Sequence, residues 1–261
     1  MDKNKVKENF SRYAGSYDKY ASIQKIAAKK LAEEFNGSNF RTILEIGCGT
    51  GLYTGLLREK FGNAEITAVD ISPDMVGTAR KKMKSADISF IVCDAEKLTP
   101  GRKFDLVTSN ASLQWVQNPP RLFKKIASML TTRGEFHFSM YGPDTFNELK
   151  EVLGVHYGRR KWLSSAMFAD LEETKSSLNK VFTKVNAEET YIKEDFFSLM
   201  DFLKSIKHTG TRGEGLGSAF FLGKYAINEM EKTYIRRFGK ITATHHIYFC
   251  RCVSETGGKR A

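Results

Sequence analysis

Between Phe40 and Met140 the chain alternates short apolar runs with longer amphipathic stretches. The runs Thr42–Ile46, Glu65–Asp70, Ser89–Cys93, Phe104–Ser109 and Gly134–Met140 predict strands. The stretches Gly51–Phe61, Pro73–Lys84 and Pro120–Leu130 carry helical spacing, and Pro73 stands where a first turn accepts proline, behind Ser72 as N-cap. Strands joined by connections of that length form βαβ units, which the right-handed crossover lays out as a parallel sheet. The nearly continuous apolar character of several strands suits a sheet covered on both faces. The expectation is a doubly wound α/β core over 41–141.

The flanks read differently. Residues 1–40 form a helical segment, with Ile23, Ile26, Ala27 and Leu31 on one stripe. Residues 142–253 form a second region: a helical insertion to about Lys180, a strand over Thr183–Ile192, a helix over Phe196–Lys207 and a last strand over Ile241–Val253. The stretch Gly210–Gly217 reads as a loop, and 254–261 as a polar tail.

The candidate chemistry sits after the first strand, in Leu44-Glu45-Ile46-Gly47-Cys48-Gly49-Thr50-Gly51. Alternate glycines there allow a tight turn and let a ligand approach the backbone. In an open α/β sheet this is also the end where ligands bind. Asp70 closes the second strand and suits the hydroxyls of a ribose. Asp94 closes the third and Asn110 the fourth. Helix caps and turns explain any one of these, but not a polar side chain at each successive strand end.

A dinucleotide site uses G-x-G-x-x-G and seats pyrophosphate on the following helix. Here the third glycine comes one residue early, and Glu45 stands two before the first. A carboxylate beside the loop repels phosphate and suits an ammonium group. The expected cofactor is therefore S-adenosyl-L-methionine, with Glu45, Gly47, Cys48, Gly49, Gly51, Asp70, Ile71, Met75, Asp94, Ala95 and Asn110 as its contacts. This is the pattern of a Rossmann-like class I methyltransferase, and a nicotinamide-dependent dehydrogenase is disfavoured.

Stretches outside that loop carry a narrower resemblance. Phe10-Ser11-Arg12-Tyr13-Ala14-Gly15-Ser16-Tyr17-Asp18, Ser109-Asn110-Ala111-Ser112-Leu113-Gln114-Trp115, Phe202–Lys207 and Thr244-His245-His246-Ile247-Tyr248 resemble malonyl-acyl-carrier-protein O-methyltransferases, enzymes of biotin synthesis. The chain departs from that family at His245, where tyrosine is usual, and at His208-Thr209-Gly210-Thr211. The resemblance implies methylation of the free carboxylate of a malonyl group on an acyl carrier protein. It also implies an N-terminal helical lid carrying Tyr17, with Arg12 able to hold the carboxylate. Gln114 and Trp115 would wall the acceptor pocket. A malonyl carboxylate is ionised at neutral pH, so the absence of a Ser-His-Asp or Cys-His arrangement does not count against activity.

Composition refines this reading. With 41% hydrophobic and 27% charged residues the chain can bury a core. No apolar run reaches about 18 residues, so no membrane span is expected. The start MDKNKVKENF has no apolar stretch behind its charges, so no secretory leader is expected. Cys48, Cys93, Cys250 and Cys252 lack disulfide or zinc spacing, no metal is expected, and a reducing cytoplasm follows. The net charge of +11 is spread along the chain and favours an anionic partner. An acidic carrier protein would use it, with Arg121, Lys124 and Lys125 or Arg159, Arg160 and Lys161 as contacts; a monomer suffices for that. Methylation of another small acid is the alternative. An RNA methyltransferase is disfavoured, because no RNA-binding module and no Asn/Asp-Pro-Pro-aromatic motif follows the fourth strand. A cofactor-free binding protein would have no use for the series from Glu45 to Asn110.

Overall fold

A computed structural model describes residues 2–35, 38–83, 88–99, 101–158, 163–210 and 223–254. Its seven-stranded sheet comprises β1 (Thr42–Ile46), β2 (Glu65–Asp70), β3 (Ile88–Val92), β4 (Phe104–Asn110), β5 (Leu130–Tyr141), β6 (Lys184–Phe196) and β7 (Ile241–Val253). The strand order is β3-β2-β1-β4-β5-β7-β6. β1 to β5 pair in parallel, and β7 runs antiparallel to both β5 and β6. The chain travels outward from β1 to β3 and then returns to β4 on the other side of β1. That reversal opens a crevice at the carboxyl ends of β1 and β4.

Alternation along β1 divides the core between the two faces. Ile43 joins the cluster formed by α3 (Ser22–Glu33), α4 (Leu52–Lys60) and α5 (Pro73–Lys82), through Leu31, Leu57 and Ala79. Leu44 and Ile46 join the opposite cluster, where α6 (Pro119–Met129) contributes Leu122, Phe123 and Ile126. The Ser72 hydroxyl caps α5 by accepting from Met75 N, and Asn118 caps α6 by accepting from Arg121 N.

The N-terminal region is three helices rather than a continuous one: α1 (Lys3–Tyr13), α2 (Tyr17–Tyr20) and then α3. The insertion holds α7 (Asn147–Tyr157) and α8 (Leu171–Asn179), followed after β6 by α9 (Leu199–His208) and α10 (Lys224–Phe238). The sequence reading passed over α10, although Ile227, Met230 and Tyr234 carry its inward stripe. β6 runs four residues past the expected Ile192, because its pairing with β7 continues through the polar run Lys193-Glu194-Asp195 to Phe196. The expected loop lies outside the described residues beyond Gly210.

Among the described residues no helix is long and apolar enough to cross a membrane, and all four cysteines are free.

The α6 side of the sheet centres on stacked rings: Phe136 and Phe138 lie 4.7 Å apart, and Phe123 stacks on Phe138 at 5.9 Å. Phe138 is fully buried. Phe138→Ala should therefore lower stability by about 3–5 kcal/mol in urea unfolding, the usual result of emptying an aromatic site that neighbours cannot refill. A loss under 1 kcal/mol would mean that this face is loosely packed.

Candidate active site

The loop after β1 is held by backbone contacts to β2: Gly47 N and Cys48 N both donate to Val69 O, at 2.7 and 3.0 Å. Gly47 has φ +74°, and a Cβ there would stand 2.0 Å from Ser112 Oγ, so only glycine lets the β4 loop close against it. Gly49 also has positive φ, but a Cβ there would meet no atom within 4 Å. It faces open space.

That space is a cavity of about 780 Å3 including its mouth, the size of a small-molecule site. Gly47, Gly49, Asp70, Ile71, Met75, Asp94, Ala95, Asn110, Tyr17 and Trp115 all stand in its wall, as a binding role would require. Asp70 holds the wall together. Its Oδ2 accepts from Gly49 N at 2.9 Å and its Oδ1 from Ser72 N at 2.8 Å. Burial pushes its carboxyl up, and these backbone donors work against that rise. Asp94 accepts from Glu96 N and from Lys3 Nζ at 2.6 Å, and the same lysine also pairs with Glu96.

α1 thus lies across the mouth. Lys3, Val6 and Phe10 share one helical face and line the cavity, and Ser11 Oγ meets Ser72 Oγ at 2.8 Å. Phe10 packs edge-on against Trp115 at 5.9 Å and tilted against Tyr17 at 6.3 Å. Gly210 lies so close to the Phe10 ring that a Cβ would come within 2.6 Å of it. Burial, with Asp70 and Asp18 nearby, pushes the Tyr17 phenol up, so it remains a neutral donor.

The charge in the wall decides what can bind. Among the described residues, Asp70, Asp94 and Glu96 face one cation, Lys3. Three carboxylates against one ammonium reject a pyrophosphate and favour a cationic ligand. Ile71, Met75, Ala95 and Val116 supply apolar surface for a flat base, and Gly49 leaves the backbone accessible. These residues fit S-adenosylmethionine, whose sulfonium and ammonium groups are positive. They do not fit NAD.

The family follows from comparison with known proteins. A methyltransferase-domain family matches residues 43–134. A malonyl-[acyl-carrier protein] O-methyltransferase of Ilyobacter polytropus is 37% identical over 254 residues, covering 95% of this chain and 94% of that one. The chain belongs to this family. A member from Anoxybacillus flavithermus is 32% identical, over 95% and 96% of the two chains. The fold is that of class I methyltransferases: the N-methyltransferase NodS from Bradyrhizobium japonicum, solved with S-adenosylhomocysteine, superposes with a TM-score of 0.54 at 13% identity, covering 95% of this chain and 98% of that one. The chain is an S-adenosylmethionine-dependent methyltransferase.

Several expected site residues lie elsewhere. Arg12 is exposed and outside the lining, because at 100° per residue it falls on the α1 face opposite Lys3, Val6 and Phe10. Cys48 is buried in the core on the α4 side, where its thiol donates to the Gly49 carbonyl. Gly51 begins α4 against Ala79. Gln114 is buried and donates to Ala111 O, so it braces the β4 loop and does not face the cavity. Asn110 lines the cavity but spends its amide on Gln24 O and its carbonyl on Ser139 Oγ. Arg121 and Lys124 are exposed, and Lys125 donates to Glu96 O. Arg159, Arg160 and Lys161 lie outside the described residues. The sequence reading missed Lys3, Val6 and Ser112. The i, i+3, i+7 spacing of Lys3, Val6 and Phe10 was the available signal for the first two.

Glu45 differs most from expectation. Strand alternation turns it away from Ile46, which lines the cavity, and buries it below the loop with the Thr54 hydroxyl beside it. Burial, opposed by Thr54 and reinforced by Asp70, pushes the carboxyl up to about 8. The folded protein therefore keeps this proton where the unfolded chain has released it, and stability falls as pH rises from about 4.5 to 8. Glu45→Gln should flatten that decline and leave the ligand-free variant more stable than wild type at pH 8, by on the order of 1 kcal/mol per pH unit within the window. Thermal melts from pH 5 to 8 with parallel slopes for the two proteins would contradict it.

Proposed function

We propose that this chain methylates the free carboxylate of a malonyl group carried on an acyl carrier protein, giving the methyl ester, an early step of biotin synthesis. The observation that carries the reading is the near full-length match to relatives of that name, which takes in the helices over the cavity and the C-terminal strands as well as the glycine loop. The spread basic charge suits an acidic carrier.

The chemistry asks little of the side chains. S-adenosylmethionine supplies an electrophilic methyl group on a sulfonium. The chain must align the acceptor oxygen in line with that methyl and keep water out. Phe10, Trp115 and Val6 make the apolar cover for the second task. Among the described residues lining the cavity there is no histidine, the Tyr17 phenol stays protonated, and the Asp70, Asp94 and Glu96 carboxylates are each engaged by backbone N–H groups. A hydroxyl or amine acceptor would need a base there. A carboxylate needs none, because it arrives as the nucleophile.

The single-turnover rate with malonyl carrier protein should accordingly vary less than about threefold between pH 6 and 8, since the malonyl pKa lies well below that range. Acetyl carrier protein, which has no free carboxylate, should give no turnover. A rate rising tenfold per pH unit, or methyl transfer to the acetyl substrate, would overturn the reading.

A further inference from the structure

The corner between α1 and α2 is gripped by one residue of α9. His208, the last residue of that helix, is in ring contact with a tyrosine from each of the other two. Its imidazole stacks on Tyr20 of α2 at 4.3 Å and 19°, and lies tilted against Tyr13 of α1 at 4.8 Å. Its Nδ1 shares a hydrogen bond of 2.8 Å with Ser16 Oγ, in the turn that joins the two helices. One side chain thus touches the corner before, at and after the bend. Two residues on, Gly210 with φ +71° lets the chain pass against the Phe10 ring.

The corner needs such a hold. Neither α1 nor α2 has a residue fully withdrawn from solvent, so no buried stripe secures them to the core. Elements with so little buried surface open at small cost. What keeps them in place is a set of point contacts. Lys3 pairs with Asp94 and Glu96, Ser11 meets Ser72, and Asp18 accepts from the Thr50 hydroxyl, all on the cofactor side. His208 ties the same helices to a different packing unit. There Phe202, Leu203 and Ile206 of α9 cluster with Leu149 and Val152 of α7 and Tyr234 of α10. Tyr17 lies in the chain between the two tyrosines that His208 touches, and it stands with Phe10 in the cavity wall. His208 itself is outside that wall.

We propose that His208 is the positioning residue of the cofactor cover. By fixing the angle between α1 and α2 it keeps Tyr17 and Phe10 over the cavity and slows release of the adenosyl ligand. The proposal goes beyond the malonyl reading and holds whichever acid is methylated. His208 acts by shape and by one hydrogen bond: a flat ring packs against Tyr13 and Tyr20, and Nδ1 meets the Ser16 hydroxyl. It touches no reacting atom. A change in the α9 core that leaves the last turn of that helix in place should therefore not reach the cofactor, whereas loss of the imidazole should.

The test is the rate at which S-adenosylhomocysteine leaves the full-length protein on rapid dilution. Trp162→Phe serves as the parent, so that Trp115, which packs on Phe10, is the fluorescent reporter. Calorimetry on that parent first establishes binding, which keeps failure of the cofactor site apart from failure of the clamp. His208→Ala should release the ligand about tenfold faster, the scale set by two ring contacts and one hydrogen bond. Acrylamide should also quench Trp115 more strongly in the ligand-bound variant. His208→Phe keeps the ring contacts and should recover most of the parent rate. Ser16→Ala loses only the hydrogen bond and should release about threefold faster. Phe202→Leu weakens the α9 core, so it should lower Tm yet leave release within about twofold of the parent. A His208→Ala rate within twofold of the parent would overturn the assignment, as would His208→Phe releasing as fast as His208→Ala. Equal acceleration by Phe202→Leu would also overturn it, because general packing of α9 and not the clamp would then set the rate.

Discussion

The Asp70 carboxylate is the point on which the site depends. Its two oxygens receive Gly49 N–H from the loop after β1 and Ser72 N–H from the start of α5, so one side chain fixes both walls of the crevice. Ser72 passes the connection on, capping α5 and meeting Ser11 of α1. Lys3 makes the matching attachment at the other end of α1, to Asp94 and Glu96 on the β3 side. The helix that covers the cavity is thereby tied to the same strand ends that would hold a cofactor. Ligand contacts and the cover share their anchors, so disturbing one should be felt in the other.

Charge is divided between outside and inside. The chain carries +11 overall, yet among the described residues the cavity wall holds three carboxylates against one lysine. Long-range attraction draws anionic partners toward the molecule, while short-range forces in the cavity admit a cation and reject phosphates. The proposed acidic carrier outside and a sulfonium inside would use both halves of that division.

Much of this was legible in the sequence where local rules suffice. Strand runs, the Ser72 cap, the glycine loop and the strand-end carboxylates Asp70 and Asp94 all follow from spacing and turn chemistry. What escaped depends on orientation. Arg12 sits on the wrong helical face, although only two residues separate it from Phe10. Glu45 sits in the right strand but on its buried side. Cys48 and Gln114 occupy the right loops and turn inward.

The central claim is that an Asp70-braced, phosphate-rejecting cavity binds the adenosyl cofactor. Calorimetric titration of the ligand-free protein with S-adenosylmethionine, S-adenosylhomocysteine and NAD measures it directly, repeated on Asp70→Ala. The account predicts one-to-one binding of both adenosyl ligands and none of NAD. It also predicts a loss on the order of 1–3 kcal/mol in the variant, from removal of a buried acceptor and the donors left unpaired. Binding of NAD, or adenosyl affinity unchanged by Asp70→Ala, would contradict it.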